Sequence, residues 1–140
     1  MQYVFDTANT RRYKFPTHIN DLVMDRAEAT VSEVFVVIIE PGKAPPLHKH
    51  DDTEQIFYVL DGEGILTIGK KGEKYPVKVG DLVRVPPSTF HTIKAEGGNA
   101  LRYLAVDCFT AARSDEEPTW EDHVKVLCRQ QGWDYKQVVS

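Results

Sequence analysis

The chain has 140 residues, of which 41% are hydrophobic and 27% are charged, and its formal net charge is -4. This length and composition predict a single domain, residues 1–140, with its own hydrophobic core, and exclude a disordered or fibrous chain. The negative charge and the lack of an apolar run of about 20 residues argue against nucleic-acid and membrane partners, and without a recognisable secretory signal we expect a cytoplasmic location.

Short strand-like runs separated by turn residues follow one another through most of the chain. The amino-terminal segment, residues 1–30, contains QYVF at residues 2–5 and DLVMDR at residues 21–26. The region of about residues 31–107 contains VSEVFVVII, QIFYVL, ILTIG and ALRYLAVD, broken by Gly and Pro turn signals. Short strands at this spacing predict an all-β sandwich or barrel.

Two local signals refine this prediction. Asp61-Gly62 lies between two strand-like runs and indicates a hairpin that would make those strands antiparallel neighbours. After residue 118 the period changes to that of a helix, with Thr119 as N-cap and Gly132 as the terminating residue. We predict one amphipathic helix at about residues 119–131 on the outside of the β domain, with a face formed by Trp120, Val124, Leu127, Cys128 and Gln131.

Three histidines are candidates for a metal site. His48 and His50 follow Pro45-Pro46, which favour an extended path, and residues two apart on an extended chain face the same side. His91 follows a strand and a Pro-Pro corner that fold the chain back toward the first pair. Three imidazoles with open coordination positions are typical of catalytic transition-metal sites.

The arrangement of these histidines resembles the two motifs of the cupin family over roughly residues 31–107. The first motif corresponds to Gly42, His48, His50, Glu54-Gln55 and Gly62, and the second to Gly80, Pro86, Ser88, His91 and Ala95. The resemblance implies a double-stranded β-helix (jelly-roll) barrel that binds a metal ion and a small molecule. It also implies a homodimer, in which the amino-terminal strands could cover the edge of the partner's sheet. Ser88 replaces the turn glycine of the family, and we expect its backbone to stay outside the positive-φ region.

The acidic ligand of the family motif corresponds to either of two residues here. Counting back from Gly62 reaches Gln55, whereas the shorter count from His50 reaches Glu54. Strand alternation puts the two side chains on opposite faces, so only one can point into the barrel. We expect the ligands to be His48, His50, Gln55 and His91, and keep Glu54 as the alternative ligand or as an acceptor that orients a histidine.

A site with three histidines and a glutamine has only neutral ligands, and imidazole suits zinc, nickel, iron, manganese or copper better than magnesium or calcium. Together with this donor set, the resemblance to cupins implies a metal-dependent enzyme acting on a small oxygen-rich metabolite, such as a sugar acid or keto acid, by isomerase, lyase or dioxygenase chemistry. The alternative is a non-catalytic small-molecule binding or sensor protein. Arg102 and Tyr103 are further catalytic candidates, and we expect His18 and His123 to be solvated.

Overall fold

A computed structural model describes residues 1–140 and contains nine strands and two helices. The strands are β1 (Arg11–Lys14), β2 (Ile19–Met24), β3 (Ser32–Ile39), β4 (Thr53–Asp61), β5 (Glu63–Ile68), β6 (Glu73–Lys78), β7 (Leu82–Val85), β8 (His91–Glu96) and β9 (Leu101–Phe109). The helices are α1 (Trp120–Gln131) and α2 (Tyr135–Val139). The all-β prediction with a carboxyl-terminal helix is confirmed. None of the helices has the length and apolarity that crossing a membrane requires.

The strands form two antiparallel sheets that enclose the core. The larger sheet has the order β1-β2-β3-β9-β4-β7, and the smaller has the order β6-β5-β8. Side chains on the inner faces alternate with exposed ones, so that Phe57 and Val59 of the larger sheet share a buried cluster with Leu66 and Ile93 of the smaller. Period-two alternation is what a sheet with one buried face requires.

Strand β9 lies in the middle of the larger sheet and pairs with β3 on one side and β4 on the other. Its register places Asp107 opposite Glu33 of β3 and also opposite Gln55 of β4. All three residues are buried. The sheet therefore carries a row of three polar residues across its inner face.

The predicted hairpin at Asp61-Gly62 is wrong. Strand β4 pairs with β7 and β9, whereas β5 pairs with β6 and β8, so the chain changes sheets at Gly62. Gly62 has φ +77°, and a Cβ atom there would collide with the Ala100 carbonyl oxygen. The glycine is needed for a sharp corner against a neighbouring backbone, which has the same local signature as a hairpin turn.

The predicted helix is confirmed, with its ends where the sequence places them. Thr119 Oγ1 accepts a hydrogen bond from the Asp122 backbone N–H, and Gly132 ends α1 with φ 73°. Trp120 is 2% exposed, and its ring centre lies 4.7 Å from that of Phe35. The helix does more than cover the outside of the sheet, because its residues also line part of a cavity of about 540 Å³.

The amino-terminal segment differs from the prediction. Residues 2–5 form no strand, because no neighbouring strand pairs with them, and Tyr3 and Val4 are each 84% exposed. The first strand is instead β1, whose register joins it to β2. The charged sequence of β1, RRYK, hides this strand because only Tyr13 is buried.

Candidate metal centre

All five histidines of the chain line one cavity of about 540 Å³. The cavity opens beside the inner face of the larger sheet, and residues of α1 line part of it. It contains the predicted group His48, His50 and His91 together with His18 and His123. One site therefore concentrates every imidazole that the protein has.

Backbone pairing brings the three predicted ligands together. His48 N–H donates to His91 O over 3.2 Å, and His91 N–H donates to His48 O over 2.9 Å. The ring centres lie 4.3 Å apart for His48 and His91 and 5.0 Å apart for His48 and His50. One nitrogen from each of the three imidazoles lies within 4.8 Å of the other two, which is close enough to hold one ion.

Hydrogen bonds fix which nitrogen is available on two of these rings. His48 Nδ1 lies 2.6 Å from Pro46 O, and His91 Nδ1 lies 2.9 Å from Thr89 O. A carbonyl oxygen only accepts, so each Nδ1 carries the proton, and the neutral ring then has its lone pair on Nε2. Partners of this kind set the orientation of a metal-binding histidine.

The three imidazoles are held in the neutral form that binds metal. Burial lowers the pKa of His50 to about 3 and that of His91 to about 4, and nearby histidines add to each effect. Burial also lowers the pKa of His48. Removal of a ring from water disfavours its charged form, so no proton needs to leave before an ion binds at neutral pH.

Ser88 holds the two halves of the triad in place, but not in the predicted way. Its φ is 58°, inside the positive region that we expected it to avoid. Ser88 N–H donates to His50 O over 2.7 Å, and Ser88 Oγ donates to Asp51 Oδ1 over 2.9 Å. These two hydrogen bonds to the histidine loop offset the strain of a left-handed non-glycine residue, which is about 1–2 kcal/mol.

Gln55 and Glu54 lie on opposite faces of β4. Gln55 is 6% exposed and lines the cavity, together with Phe57 of the same face. The Phe57 ring centre is 6.4 Å from that of His91, so this face of β4 approaches the triad. Glu54 does not line the cavity, and its register partner on the other face is Cys108.

A row of buried polar side chains leads from Gln55 into the sheet. Gln55 Nε2 donates to Asp107 Oδ1 over 2.7 Å, and Asp107 is the register partner of Glu33 on β3. Arg26 donates from Nε to Glu33 Oε1 over 2.7 Å and from Nη2 to Oε2 over 2.9 Å. The sequence interpretation missed this row, although the alternation Glu33, Phe35, Val37, Ile39 places a carboxylate on a buried face.

Of the two remaining catalytic candidates, Tyr103 and Arg102, only Tyr103 faces the cavity. Tyr103 lines the cavity, and burial raises the pKa of its hydroxyl above the ordinary value. Arg102, its neighbour, does not line the cavity, because adjacent strand residues face opposite sides.

The prediction that His18 and His123 are solvated is wrong. His18 stacks on Phe15 with ring centres 4.8 Å apart, and burial lowers its pKa to about 3. His123 Nδ1 lies 2.7 Å from Glu117 Oε1, and its ring packs against Trp120 at 5.4 Å. Both rings serve as walls of the cavity, which neither residue's local sequence indicates.

The donor atoms of the cavity fit a divalent transition metal. Gln55 Oε1 and His91 Nε2 are buried without a hydrogen-bond partner, and such an atom costs about 1–3 kcal/mol unless something binds it. Three imidazole nitrogens and an amide oxygen suit zinc, nickel, copper or iron, whereas calcium and magnesium prefer a set of oxygens. Both orphaned atoms belong to residues that line the cavity.

The two antiparallel sheets with a histidine triad in their shared cavity define a small β-barrel protein with a candidate metal site. A family model of the cupin domain matches residues 35–107, so the chain belongs to the cupin family. The expected double-stranded β-helix is supported by an uncharacterized conserved protein with this domain from Klebsiella pneumoniae subsp. pneumoniae. Its TM-score is 0.67 at 21% identity, with 81% of this chain and 95% of that chain covered.

Curated relatives are similar over part of their length. The chain is 35% identical over 68 residues to an oxalate-binding protein of Thermotoga maritima, covering 49% of this chain and 54% of the relative. It is 31% identical over 131 residues to an acireductone dioxygenase of Leptospira biflexa, covering 91% of this chain and 66% of the relative. The chain therefore spans less than two thirds of the length of either relative.

Proposed function

We propose that this cupin binds one divalent transition-metal ion through His48, His50, His91 and Gln55, and that it acts on a small oxygen-rich anion. The observation that carries the proposal is the triad, in which one nitrogen of each imidazole lies within 4.8 Å of the other two. His91 Nε2 and Gln55 Oε1 are buried without a hydrogen-bond partner, and both residues line the same cavity. Zinc, nickel, iron, manganese and copper are all compatible with this donor set, although manganese is the least suited to imidazole.

The charge balance of the cavity favours an anionic ligand. All four proposed donors are neutral, so the ion keeps its double positive charge. Of the three cationic side chains that line the cavity, Arg26 is paired with Glu33 and Lys49 with Asp51, whereas Arg113 has no carboxylate partner. Arg113 donates to the Arg26 carbonyl oxygen and lies over the Phe109 ring, which leaves guanidinium donors free for a carboxylate.

Other groups of the chain would orient the ligand. The Asn20 side-chain oxygen is buried without a partner and lines the cavity. The Tyr103 hydroxyl lines the same cavity, and because burial raises its pKa the group keeps its proton and can donate a hydrogen bond. Phe35 and Ile93 add apolar surface. A ligand with several oxygens could thus be held by polar contacts while the apolar walls exclude water.

The ion, when bound, supplies Lewis acidity toward a carbonyl or carboxylate oxygen. The chain's own contribution is to hold the ligand and to keep a proton on Tyr103 at a position from which it can be donated. The resemblance to cupins implies isomerase, lyase or dioxygenase chemistry, and the Leptospira biflexa relative is named as a dioxygenase. We propose an enzyme of one of these classes.

A second candidate function is non-catalytic binding of a small dicarboxylate. Its support is the name of the Thermotoga maritima relative, an oxalate-binding protein. The two functions differ in turnover: a binding protein returns the ligand unchanged, whereas an enzyme converts it.

Metal titration tests the site. Metal-free protein without a histidine tag should bind one Zn²⁺ or Co²⁺ per chain in calorimetry, and His91→Ala should weaken this by about 100-fold, the average share of one ligand in a four-ligand site. His123→Gln is the matched control, because it removes an imidazole of the same cavity that lies outside the triad. Equal losses in both variants, or no binding by the wild type, would refute the proposed site.

A second pair of variants tests whether Gln55 or Glu54 is the fourth ligand. Gln55→Ala should weaken Zn²⁺ binding by at least tenfold, whereas Glu54→Ala should leave it within about threefold, because Glu54 faces away from the cavity. The opposite ranking would assign the ligand to Glu54.

Ligand binding is tested with oxalate as the probe. Oxalate should bind the Zn²⁺-loaded protein more tightly than the metal-free protein. Arg113→Gln should lower the affinity for oxalate without changing the affinity for Zn²⁺. Analysis of the recovered compound by mass spectrometry separates conversion from binding. The homodimer remains a prediction, which mass measurement in solution would test.

A further inference from the structure

The side-chain amide of Gln55 has nearly the same shape when its oxygen and nitrogen exchange places. Its orientation decides whether an acceptor or a donor points into the cavity. With Nε2 turned inward it would present hydrogen-bond donors, which cannot bind a cation. With Oε1 turned inward it presents a lone pair. Some part of the surrounding structure must therefore select one orientation.

The selecting group is on the neighbouring strand. Gln55 and Asp107 are register partners on β4 and β9, and Nε2 of the first lies 2.7 Å from Oδ1 of the second. Both residues are buried, at 6% and 7% exposure, so a reversed amide would leave a buried donor and a buried acceptor without this hydrogen bond. The other amide atom, Oε1, is the one left without a protein partner in the cavity lining.

We propose that Asp107 is a positioning residue, which accepts the Gln55 amide N–H and thereby presents Gln55 Oε1 to the histidine triad as a neutral oxygen ligand. This inference rests on the proposed metal site. It adds a residue that has no contact with the ion and that lies outside both cupin motifs quoted above.

The rest of the row explains why Asp107 is free to serve Gln55. Arg26 donates from Nε and Nη2 to the two carboxylate oxygens of Glu33, the register partner of Asp107 on β3. A carboxyl oxygen that faces an amide N–H accepts from it. Asp107 Oδ1 is therefore the acceptor that the sheet offers to the Gln55 amide.

The proposed role needs only an acceptor oxygen on residue 107. Asp107 Oδ1 accepts from Gln55, and an asparagine has one amide oxygen that can take the same place. Asp107→Asn should therefore preserve the orientation of Gln55, whereas Asp107→Ala removes the acceptor.

The first experiment uses metal-free protein and so does not depend on metal binding. In protein labelled with ¹⁵N-glutamine, the side-chain NH₂ resonance of Gln55, assigned by its loss in Gln55→Ala, should exchange slowly with solvent. It should remain slow in Asp107→Asn and become fast or shifted in Asp107→Ala. A resonance that is unaffected by Asp107→Ala would overturn the inference whatever the protein binds.

The second experiment is a double-mutant cycle for Co²⁺ affinity. Asp107→Ala should weaken Co²⁺ binding by about 10–100-fold, the usual effect of losing a group that orients a ligand, and alter the visible absorption of the bound ion. Asp107→Asn should stay within about threefold of the wild type. In the Gln55→Ala background, Asp107→Ala should have little further effect, because its action passes through Gln55.

The outcomes separate the two proposals. Equal weakening by Asp107→Ala in both backgrounds would show that Asp107 does not act through Gln55, and a large loss in Asp107→Asn would show that its negative charge is what matters; either result overturns the inference. Failure of the wild type to bind Co²⁺ would instead refute the proposed function, with the exchange experiment still testing the amide. If Asp107→Ala does not fold, Asp107→Ser takes its place, because its short hydroxyl cannot reach the same acceptor position.

Discussion

Replacement of Arg26 by methionine tests how much the buried charge pair of the larger sheet matters for stability. The side chains of Arg26 and Glu33 are 5% and 0% exposed, and two hydrogen bonds join them. Methionine fills most of the same space but leaves the Glu33 carboxylate without its counter-ion. Removing one partner of a buried pair costs about 3–5 kcal/mol, because the remaining charge has neither water nor a partner.

The chain contains a matched control for this change. Arg12 also binds a carboxylate through two hydrogen bonds, of 2.8 and 3.0 Å, to Asp21. The Arg12 side chain is 56% exposed, whereas that of Asp21 is 10% exposed, so Arg12→Met should cost about 1–2 kcal/mol, between the values for a surface pair and a buried pair. The two variants remove the same kind of contact at different depths.

Urea denaturation followed by far-UV circular dichroism measures both changes. We expect Arg26→Met to lower the free energy of unfolding by at least about 1 kcal/mol more than Arg12→Met, given the two ranges above. Adding Glu33→Gln to Arg26→Met should restore part of the loss, because the buried group is then neutral. Equal losses in Arg26→Met and Arg12→Met, or no recovery in the double variant, would refute the argument that burial sets the cost.

Three further predictions concern other parts of the fold. Burial lowers the pKa of His18 to about 3 in the folded protein. The stability that the neutral ring confers is therefore complete above the pKa of the unfolded chain and is lost as the pH falls below that pKa. Between pH 7 and 5 the wild type should lose about 2 kcal/mol more than His18→Gln, since the unfolded pKa is about 6.5; parallel urea curves at the two pH values would contradict this. Gly62→Ala should lower the free energy of unfolding by about 1–3 kcal/mol more than Gly69→Ala. Both positions have positive φ, but only at Gly62 would a Cβ atom meet a backbone atom, the Ala100 carbonyl oxygen. Equal unfolding midpoints of the two variants would contradict this collision. Trp120→Ala should lower the free energy of unfolding by about 3–5 kcal/mol in urea denaturation, since Trp120 is 2% exposed. A loss under about 1 kcal/mol would show that α1 contributes little to the core.

Much of the fold follows from local patterns in the sequence. Alternation of apolar and polar residues located most of the strands, and the helix of residues 120–131 was bounded by Thr119 and Gly132, whose roles depend only on neighbouring atoms. The error at Gly62 has the opposite cause. A glycine with positive φ is required both in a hairpin and at a corner between sheets, and only the strand pairing, which is a long-range property, distinguishes them.

The candidate site also combines features that depend on local sequence with features that depend on long-range pairing. The spacing of His48 and His50 and the parity of Gln55 could be read locally, whereas the meeting of His91 with the pair needed the two motifs together. The hydrogen bond between Gln55 and Asp107 depends on the register of β4 against β9. The burial of His18 and His123 depends on how the amino-terminal strands and α1 close the cavity, and no short stretch of sequence contains that information.

The paired backbone hydrogen bonds between His48 and His91 have a consequence for how the proposed metal ion would bind. They join residues that are far apart in the sequence by the same kind of bond that holds strands together, so the entropy of closing that long loop is lost when the chain folds. Ion binding then has to order only side chains. A coordination set assembled in this manner can exchange one cation for another while the barrel stays folded, and the metals available in the cell help to decide which one it carries.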